Sequence, residues 1–156
     1  NVFLKPQING GKSSTIYRSG TPDTALIASA SIALKKAMDN MEGRRISVID
    51  KNKKIVEYLK GKKDVIINSN NNSIPYIINF SVQNRKSNDL QKLFNDSEVY
   101  VSTKTSCCPI ETPSKLVYAV TKNKGLASSS IRLSLSHLTT NAEIDKFIEV
   151  MNNIIG

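Results

Sequence analysis

The segment Ser130-Ile131-Arg132-Leu133-Ser134-Leu135-Ser136 decides the kind of fold that this chain adopts. Its apolar residues occupy every second position, so Ile131, Leu133 and Leu135 project from one face of an extended strand and the polar residues from the other. The pattern Thr140-x-x-Glu143 that follows is a capping box and predicts a helix with an apolar face. A strand with one apolar face beside an amphipathic helix predicts a sheet whose apolar face is covered by helices.

The rest of the chain mixes helical and extended patterns without strict βαβ order. Thr21-Pro22 and Thr112-Pro113 are predicted helix starts, each with Thr as the N-cap and Pro at the first helical position. Small residues such as Ala30, Ala33 and Ala37 on the first helix predict close packing against a neighbour. Further helices are expected over residues 44–60 and 87–94, and strands over residues 65–67, 76–82 and 98–102. The mixture predicts an α+β fold in α/β layers, with a small, mainly antiparallel sheet covered by helices on one side.

Composition limits the classes of function. The 156 residues are 39% hydrophobic, which is typical of a globular protein, and no apolar run approaches the roughly 18 residues of a membrane span. The net charge of +9 comes from scattered lysines that are not interleaved with aromatic residues, which favours solvated faces over nucleic-acid binding. The chain opens at Asn1 without Met, so we expect it to be a later part of a longer protein.

The two cysteines, Cys107 and Cys108, are adjacent and lie between the predicted strand over residues 98–102 and the predicted helix start. A vicinal disulfide strains the backbone, so we expect free thiols and a reducing, cytoplasmic compartment. The polar flanks leave two interpretations open: a small buried hydrophobe, or a reactive thiol on a loop with Lys104 as a nearby cation. A Cys–His hydrolase using His137, the only histidine, is disfavoured because no orienting partner can be named. A zinc site is disfavoured because the ligand spacing is wrong.

Arg132 and Thr21 are the other candidate site residues. Arg132 lies on the polar face of its strand, where its side chain either points to solvent or pairs with a carboxylate in a cleft. Thr21 either caps its helix or offers its hydroxyl to an anion at the helix N-terminus. The stretch Gly10-Gly11-Lys12-Ser13-Ser14 lacks the spacing of a P-loop, so we do not predict a nucleotide site.

Three blocks of sequence resemble the C-terminal portion of the cysteine desulfurases of the NifS/IscS-like branch of the class V aminotransferases, which depend on pyridoxal 5'-phosphate (PLP). The first is Ile8-Asn9-Gly10-Gly11 followed by Arg18-Ser19-Gly20-Thr21. The second runs from Val101-Ser102 to Cys107 and on to Pro113-Ser114, and the third is the strand from Ser129 to Leu135 followed by the capping box. The blocks occur in the family's order and span nearly the whole chain.

The resemblance implies a fold, a cofactor and residue roles. Residues 1–42 would be the tail of the large domain of a fold-type-I PLP enzyme with its connecting helix, and residues 43–156 the C-terminal small domain. Cys107 would be the nucleophile that takes sulfur from L-cysteine and leaves L-alanine, and Arg132 would grip the substrate carboxylate. Thr21 would help to hold the PLP phosphate of the partner subunit, which implies a homodimer, and an iron–sulfur scaffold or another acceptor protein would receive the sulfur.

The chain also departs from the family's pattern. The family's GGGQE stretch reads Gly10-Gly11-Lys12-Ser13-Ser14, and the small residues after the nucleophile are replaced by Cys108-Pro109-Ile110. Cys108 is therefore a possible secondary thiol. We expect the PLP-binding lysine to lie upstream of this chain, so that the isolated chain would be inactive. Two alternatives stay open: another class V transaminase or lyase in which Cys107 is incidental, and a non-catalytic interaction module.

Overall fold

The computed structural model describes residues 3–11, 15–104, 109 and 112–155. Its elements in chain order are α1 (Thr24–Asp39), α2 (Met41–Lys60), β1 (Val65–Ile67), β2 (Ile77–Val82), α3 (Ser87–Asp96), α4 (Lys115–Thr121), α5 (Lys124–Ser128), β3 (Ser130–Ser134) and α6 (Asn141–Ile155). The chain divides into two compact units, Asn1–Met41 and Glu42–Gly156. The first contains α1, and the second contains the sheet and the remaining helices.

The three strands form an antiparallel sheet in the order β1-β2-β3. In the register, Phe80 of β2 lies opposite Ile131 of β3, and Asn79 lies opposite Arg132. Residues opposite one another in a sheet share a face, so the alternation in β3 separates an apolar face from a polar face. The predicted strand over residues 65–67 is therefore confirmed, the strand predicted over residues 130–136 forms over Ser130–Ser134, and the alternation predicts its correct inward face.

Helices α2, α3 and α6 cover the apolar face. Phe147 of α6 is buried, stacks on Phe94 of α3 with ring centroids 5.8 Å apart, and meets Phe80 of β2 edge-on at 6.2 Å. Helix α2 contributes Ile55 and Leu59 to the same cluster. The prediction of a small antiparallel sheet covered by helices on one side is confirmed. On the polar face, the short helix α5 reaches one corner, where Ser81 Oγ donates a hydrogen bond to the carbonyl oxygen of Leu126.

The capping box of α6 forms as predicted. The backbone N–H of Thr140 donates to Glu143 Oε2 at 2.6 Å, and the N–H of Glu143 donates to Thr140 Oγ1 at 3.2 Å. The hydrogen bonds from the backbone N–H and the hydroxyl of Thr140 lower the pKa of Glu143, because they favour its charged form.

Both predicted Thr-Pro helix starts are wrong by two residues. Helix α1 is capped by Asp23, whose carboxylate accepts from the N–H of Leu26 at 3.0 Å, and not by Thr21. Helix α4 is capped by Ser114, whereas the hydroxyl of Thr112 donates to the carbonyl oxygen of Pro109. In each case a second good capping residue follows the Thr-Pro pair, and the chain uses the later one.

The predicted strand over residues 98–102 is also wrong. Glu98 has a left-handed backbone with φ of 59°, and the N–H of Val99 donates to the carbonyl oxygen of Phe94, which extends the turn at the end of α3. The side-chain amide of Gln91 donates to the carbonyl oxygen of Val101, an acceptor that a sheet ladder would otherwise use. Only Ser102 joins the sheet, through an isolated bridge to Arg132.

Helix α1 buries none of its residues. Apolar side chains such as Leu26, Leu34 and Met38 are each more than half exposed. The close packing predicted from its alanines is therefore not found within the described part of the chain.

Candidate functional site

Arg132 lies at the centre of β3, on the polar face of the sheet. Asn79 of β2 lies opposite it on one side. On the other side Ser102 pairs with it through two backbone bonds, of 2.6 Å from the N–H of Arg132 and 3.1 Å from the N–H of Ser102. Both edges of this part of β3 are therefore hydrogen-bonded, which holds the Arg132 backbone in one position.

The Arg132 side chain lines a pocket of about 340 Å³. Polar residues from the sheet and the neighbouring loops form part of the wall, and α4 contributes Leu116, Val117 and Val120 as an apolar part. The charged side chains among the lining residues are Arg132, Lys104 and Lys115, and no acidic residue is among those that the structure describes there. The charge balance favours an anionic ligand.

Two buried polar atoms in this pocket have no hydrogen-bond partner in the described part of the chain. They are Nε of Arg132, a donor, and Oδ1 of Asn68, an acceptor. A buried polar atom without a partner costs about 1–3 kcal/mol, so native structures contain few of them. Both atoms belong to residues that line one pocket, which makes this pocket the candidate site for a ligand of Arg132.

Lys104, at the rim of this pocket, links two segments of the backbone through hydrogen bonds. Its ammonium group donates to the carbonyl oxygens of Pro109 and Thr112, the latter at 3.3 Å. The chain on either side of residues 105–108 is thereby joined. Within the described residues the Lys104 cation is bound to carbonyl groups. Its role as a cation beside a thiol stays a prediction, because both cysteines lie outside the described residues.

Cys107 and Cys108 lie outside the described residues, as do Lys12, Ser13 and Ser14 of the glycine-rich stretch. Thr21 lies in the first unit, is exposed, and precedes the first residue of α1 by three positions. Its carbonyl oxygen accepts from Nη2 of Arg18 at 3.4 Å, and its side chain is exposed. His137 accepts a hydrogen bond from Lys51 through its carbonyl oxygen at 3.0 Å.

Asn68 and Asn79 line the same pocket as Arg132, although neither was predicted from the sequence as a site residue. A signal for Asn79 was available, because the segment Ile77–Val82 has polar residues at positions 79 and 81, on the face that carries Arg132. Asn68 follows β1 in a polar turn and gives no such signal. Among the described residues, no group of three or more His, Cys, Asp or Glu side chains could hold a metal ion. None of the helices in the described ranges is both long and apolar enough to cross a membrane.

Comparison with known proteins agrees with this architecture. The sequence profile of the family described as Aminotransferase class-V matches residues 5–147. This chain belongs to that family. The resemblance seen in the three sequence blocks is confirmed.

Among curated relatives, the cysteine desulfurase IscS of Pseudoalteromonas translucida is 29% identical over 155 residues, which cover 98% of this chain and 38% of that protein. The NifS/IcsS protein homolog of Lactobacillus delbrueckii subsp. bulgaricus is 28% identical, with coverage of 97% and 40%. The class V chain thus spans about two-fifths of the length of the curated relatives it matches.

Solved structures show the same fold. The NifS-like protein from Rickettsia africae superposes with a TM-score of 0.75 at 28% identity, over 96% of this chain and 39% of that one. A second NifS-like protein gives a TM-score of 0.77 at 24% identity, over 98% and 39% of the two chains. The predicted fold class, the small α+β domain of a fold-type-I PLP enzyme, is confirmed by these structures.

Proposed function

We propose that this chain is the C-terminal part of a PLP-dependent cysteine desulfurase that converts L-cysteine into L-alanine and carries the sulfur on Cys107. The relatives named above, the class V family and the order of the three blocks support this function. The structural observation that carries it is the Arg132 guanidinium. Its buried Nε has no partner among the described residues, and the described lining of its pocket contains no acidic side chain.

Arg132 would bind the carboxylate of L-cysteine. Its planar fork donates two parallel N–H bonds to a carboxylate, and the hydrogen-bonded backbone of β3 fixes where the fork begins. Leu116 and Val120 of α4 line the same pocket and would limit the access of water to this ion pair. A pocket with one guanidinium and an apolar wall suits a small amino acid.

Cys107 is tethered to the rim of this pocket by the covalent chain. Thr103, Lys104 and Ser114 line the pocket, and Cys107 follows Lys104 by three residues. Three residues span at most about 11 Å, so Cys107 belongs within that distance of Lys104. The Cys107 thiolate would attack the sulfur of bound L-cysteine: an S–S bond forms, the substrate C–S bond breaks, and the bonding electron pair stays with the carbon skeleton, which takes up a proton and leaves as L-alanine.

PLP, when bound, supplies the electron sink for this chemistry. In this chain Thr21 would contribute a hydroxyl to its phosphate, with Arg18 close by on the same exposed turn. That phosphate would belong to the partner subunit of a homodimer. The exposed apolar side chains of α1 support an interface of this kind. We further assign residues 1–42 to the large domain and its connecting helix, and residues 43–156 to the small domain; the division into units at Met41 supports this assignment.

The sulfur would pass to an acceptor protein such as an iron–sulfur scaffold. A persulfide-carrying cysteine needs a reducing compartment, so we place the protein in the cytoplasm. Cys108 would act as a secondary thiol that exchanges sulfur with Cys107, since adjacent residues are within reach of each other.

The test uses the full-length protein loaded with PLP. L-cysteine should yield L-alanine and one persulfide per active site, Cys107→Ala should abolish both, and Cys108→Ala should retain alanine formation. Loss of activity in Cys108→Ala with retention in Cys107→Ala would reverse the assignment of the two thiols. A protein that binds PLP but forms no alanine from L-cysteine would be another class V transaminase or lyase, and one that binds no PLP would be an interaction module.

A further inference from the structure

Hydrogen bonds on the polar face of the sheet link Asn79, Asn68, Ser81 and Leu126 in series. The Leu126 carbonyl group at one end determines which atom donates in each of these bonds. Ser81 Oγ lies 2.8 Å from the carbonyl oxygen of Leu126, which can only accept, so the Ser81 hydroxyl donates to it. The side chain of Asn68 lies 2.8 Å from the same Ser81 oxygen. Because the Ser81 proton is already used, the Asn68 atom that faces it is the donor Nδ2.

This direction fixes the orientation of the Asn79 amide. Asn68 Nδ2 also lies 2.8 Å from the Asn79 side chain, so the Asn79 atom that faces it is the acceptor Oδ1. The NH₂ group of Asn79 therefore points away from Asn68. The hydrogen bonds of Asn79 with other described residues use its backbone groups and Oδ1, and none of them uses Nδ2.

Asn79 stands beside Arg132. The two residues are direct partners in the register of β2 and β3, and both line the pocket of about 340 Å³. Side chains directly opposite each other in an antiparallel sheet have Cβ atoms about 4.5–5.5 Å apart. The unused NH₂ group and the guanidinium are therefore close enough to donate to the two oxygens of one carboxylate.

We propose that Asn79 is a second donor to the carboxylate that Arg132 binds, and that Asn68 is a positioning residue that keeps the Asn79 NH₂ group turned toward it. This inference rests on the proposed function, since it takes the ligand of Arg132 to be the carboxylate of L-cysteine. The amide adds a directional donor without a second charge. Asn79 thereby determines specificity for amino acids over amines that lack the carboxylate.

The experiment uses the full-length, PLP-loaded protein and two competitive inhibitors, L-alanine with a carboxylate and cysteamine without one. Asn79→Ala removes the donor and should raise the KM for L-cysteine and the KI for L-alanine about tenfold, the size of a hydrogen bond to a charged group. Asn79→Asp turns the donor into an anion of the same shape and should raise both further. The KI for cysteamine and kcat should change less than about threefold, whereas a merely structural role would change all four constants.

Two further variants sharpen the result. An aspartate at position 68 cannot donate to Asn79, so in Asn68→Asp the Asn79 amide should flip and turn its NH₂ group toward residue 68. The affinity for L-alanine should then fall, although Asn79, the residue that contacts the carboxylate, is unchanged. Asn71→Asp makes the same chemical change in the exposed turn before β2, outside the pocket, and should leave every constant as in the wild type.

Unchanged constants for L-cysteine and L-alanine in Asn79→Ala would overturn the inference, and so would an equal rise for L-alanine and cysteamine. If Asn79→Asp does not fold, as judged by thermal unfolding, Asn79→Ala decides alone. If the wild type forms no alanine from L-cysteine, the proposed function fails. Calorimetric titration of L-alanine into the wild type and Asn79→Ala then still tests Asn79: about tenfold weaker binding supports it, and equal binding overturns it.

Discussion

Replacing Arg132 with methionine should make the protein more stable while it removes the proposed carboxylate site. Nε of Arg132 is buried without a partner among the described residues, and such an atom costs about 1–3 kcal/mol. Methionine keeps most of the length of the stem and carries no N–H to satisfy. The expected gain in the free energy of unfolding is about 1–2 kcal/mol. It is smaller than the full cost of the buried Nε, because the rest of the guanidinium lines an open pocket and the substitution also removes its favourable hydration.

Urea unfolding of the wild type and Arg132→Met, followed by circular dichroism, measures this difference as a shift in the midpoint at constant slope. Arg85→Met is the matched control, because Arg85 donates to the carbonyl oxygen of Ile154 at 3.2 Å. Removing that bond should lower the free energy of unfolding by about 0.5–1.5 kcal/mol, the opposite sign. If Arg132→Met is destabilised as Arg85→Met is, then Arg132 Nε is satisfied in the folded protein and the case for a site built on it fails.

Three other predictions concern stability. Phe147→Ala should lower the free energy of unfolding by about 3–5 kcal/mol, measured by urea unfolding, because it removes a buried ring that contacts both Phe80 and Phe94; a loss under 1 kcal/mol would contradict this packing. Ser114→Ala should cost about 1 kcal/mol in the same assay through loss of the α4 cap, whereas Thr112→Ala, at the rejected cap position, should lose none of that capping energy. The lowered pKa of Glu143 means that its contribution to stability is present above the ordinary pKa of a glutamate and is lost as the pH falls through the lower folded value. Glu143→Gln should therefore flatten the decline in thermal midpoint on acidification, and an unaltered pH profile would exclude the capping box as its cause.

The sequence predicts those parts of the fold in which one local signal acts alone. The alternation in Ser130–Ser134 and the capping box at Thr140 have no competitor nearby, and both form as expected. At Thr21 and Thr112 a second capping residue follows within two positions, and the choice depends on tertiary bonds such as that from the N–H of Ser114 to the carbonyl oxygen of Ala127. A local sequence pattern therefore does not predict which of the two candidate residues caps the helix.

The predicted strand over residues 98–102 failed for the same kind of reason. Its apolar, β-branched residues favour an extended conformation. However, Glu98 and Val99 form part of the turn after α3, and the side chain of Gln91 donates to the carbonyl oxygen of Val101. At the site, the strand pattern predicts the face of Arg132 correctly. The partnership of Asn68 with Asn79 is not predictable from sequence, because it depends on the register between β1, β2 and the turn that joins them.

The bonds from Lys104 to the carbonyl oxygens of Pro109 and Thr112 have a consequence for how this family can diversify. A clamp of this kind holds two positions of the chain together, so the stability of the flanking domain depends little on the number of residues between them. Beyond such a clamp, doubling the number of residues costs only about 0.6 kcal/mol of closure entropy. Insertions and exchanges between Lys104 and Pro109 should therefore cost little stability, while the sheet, its arginine and its helices stay unchanged.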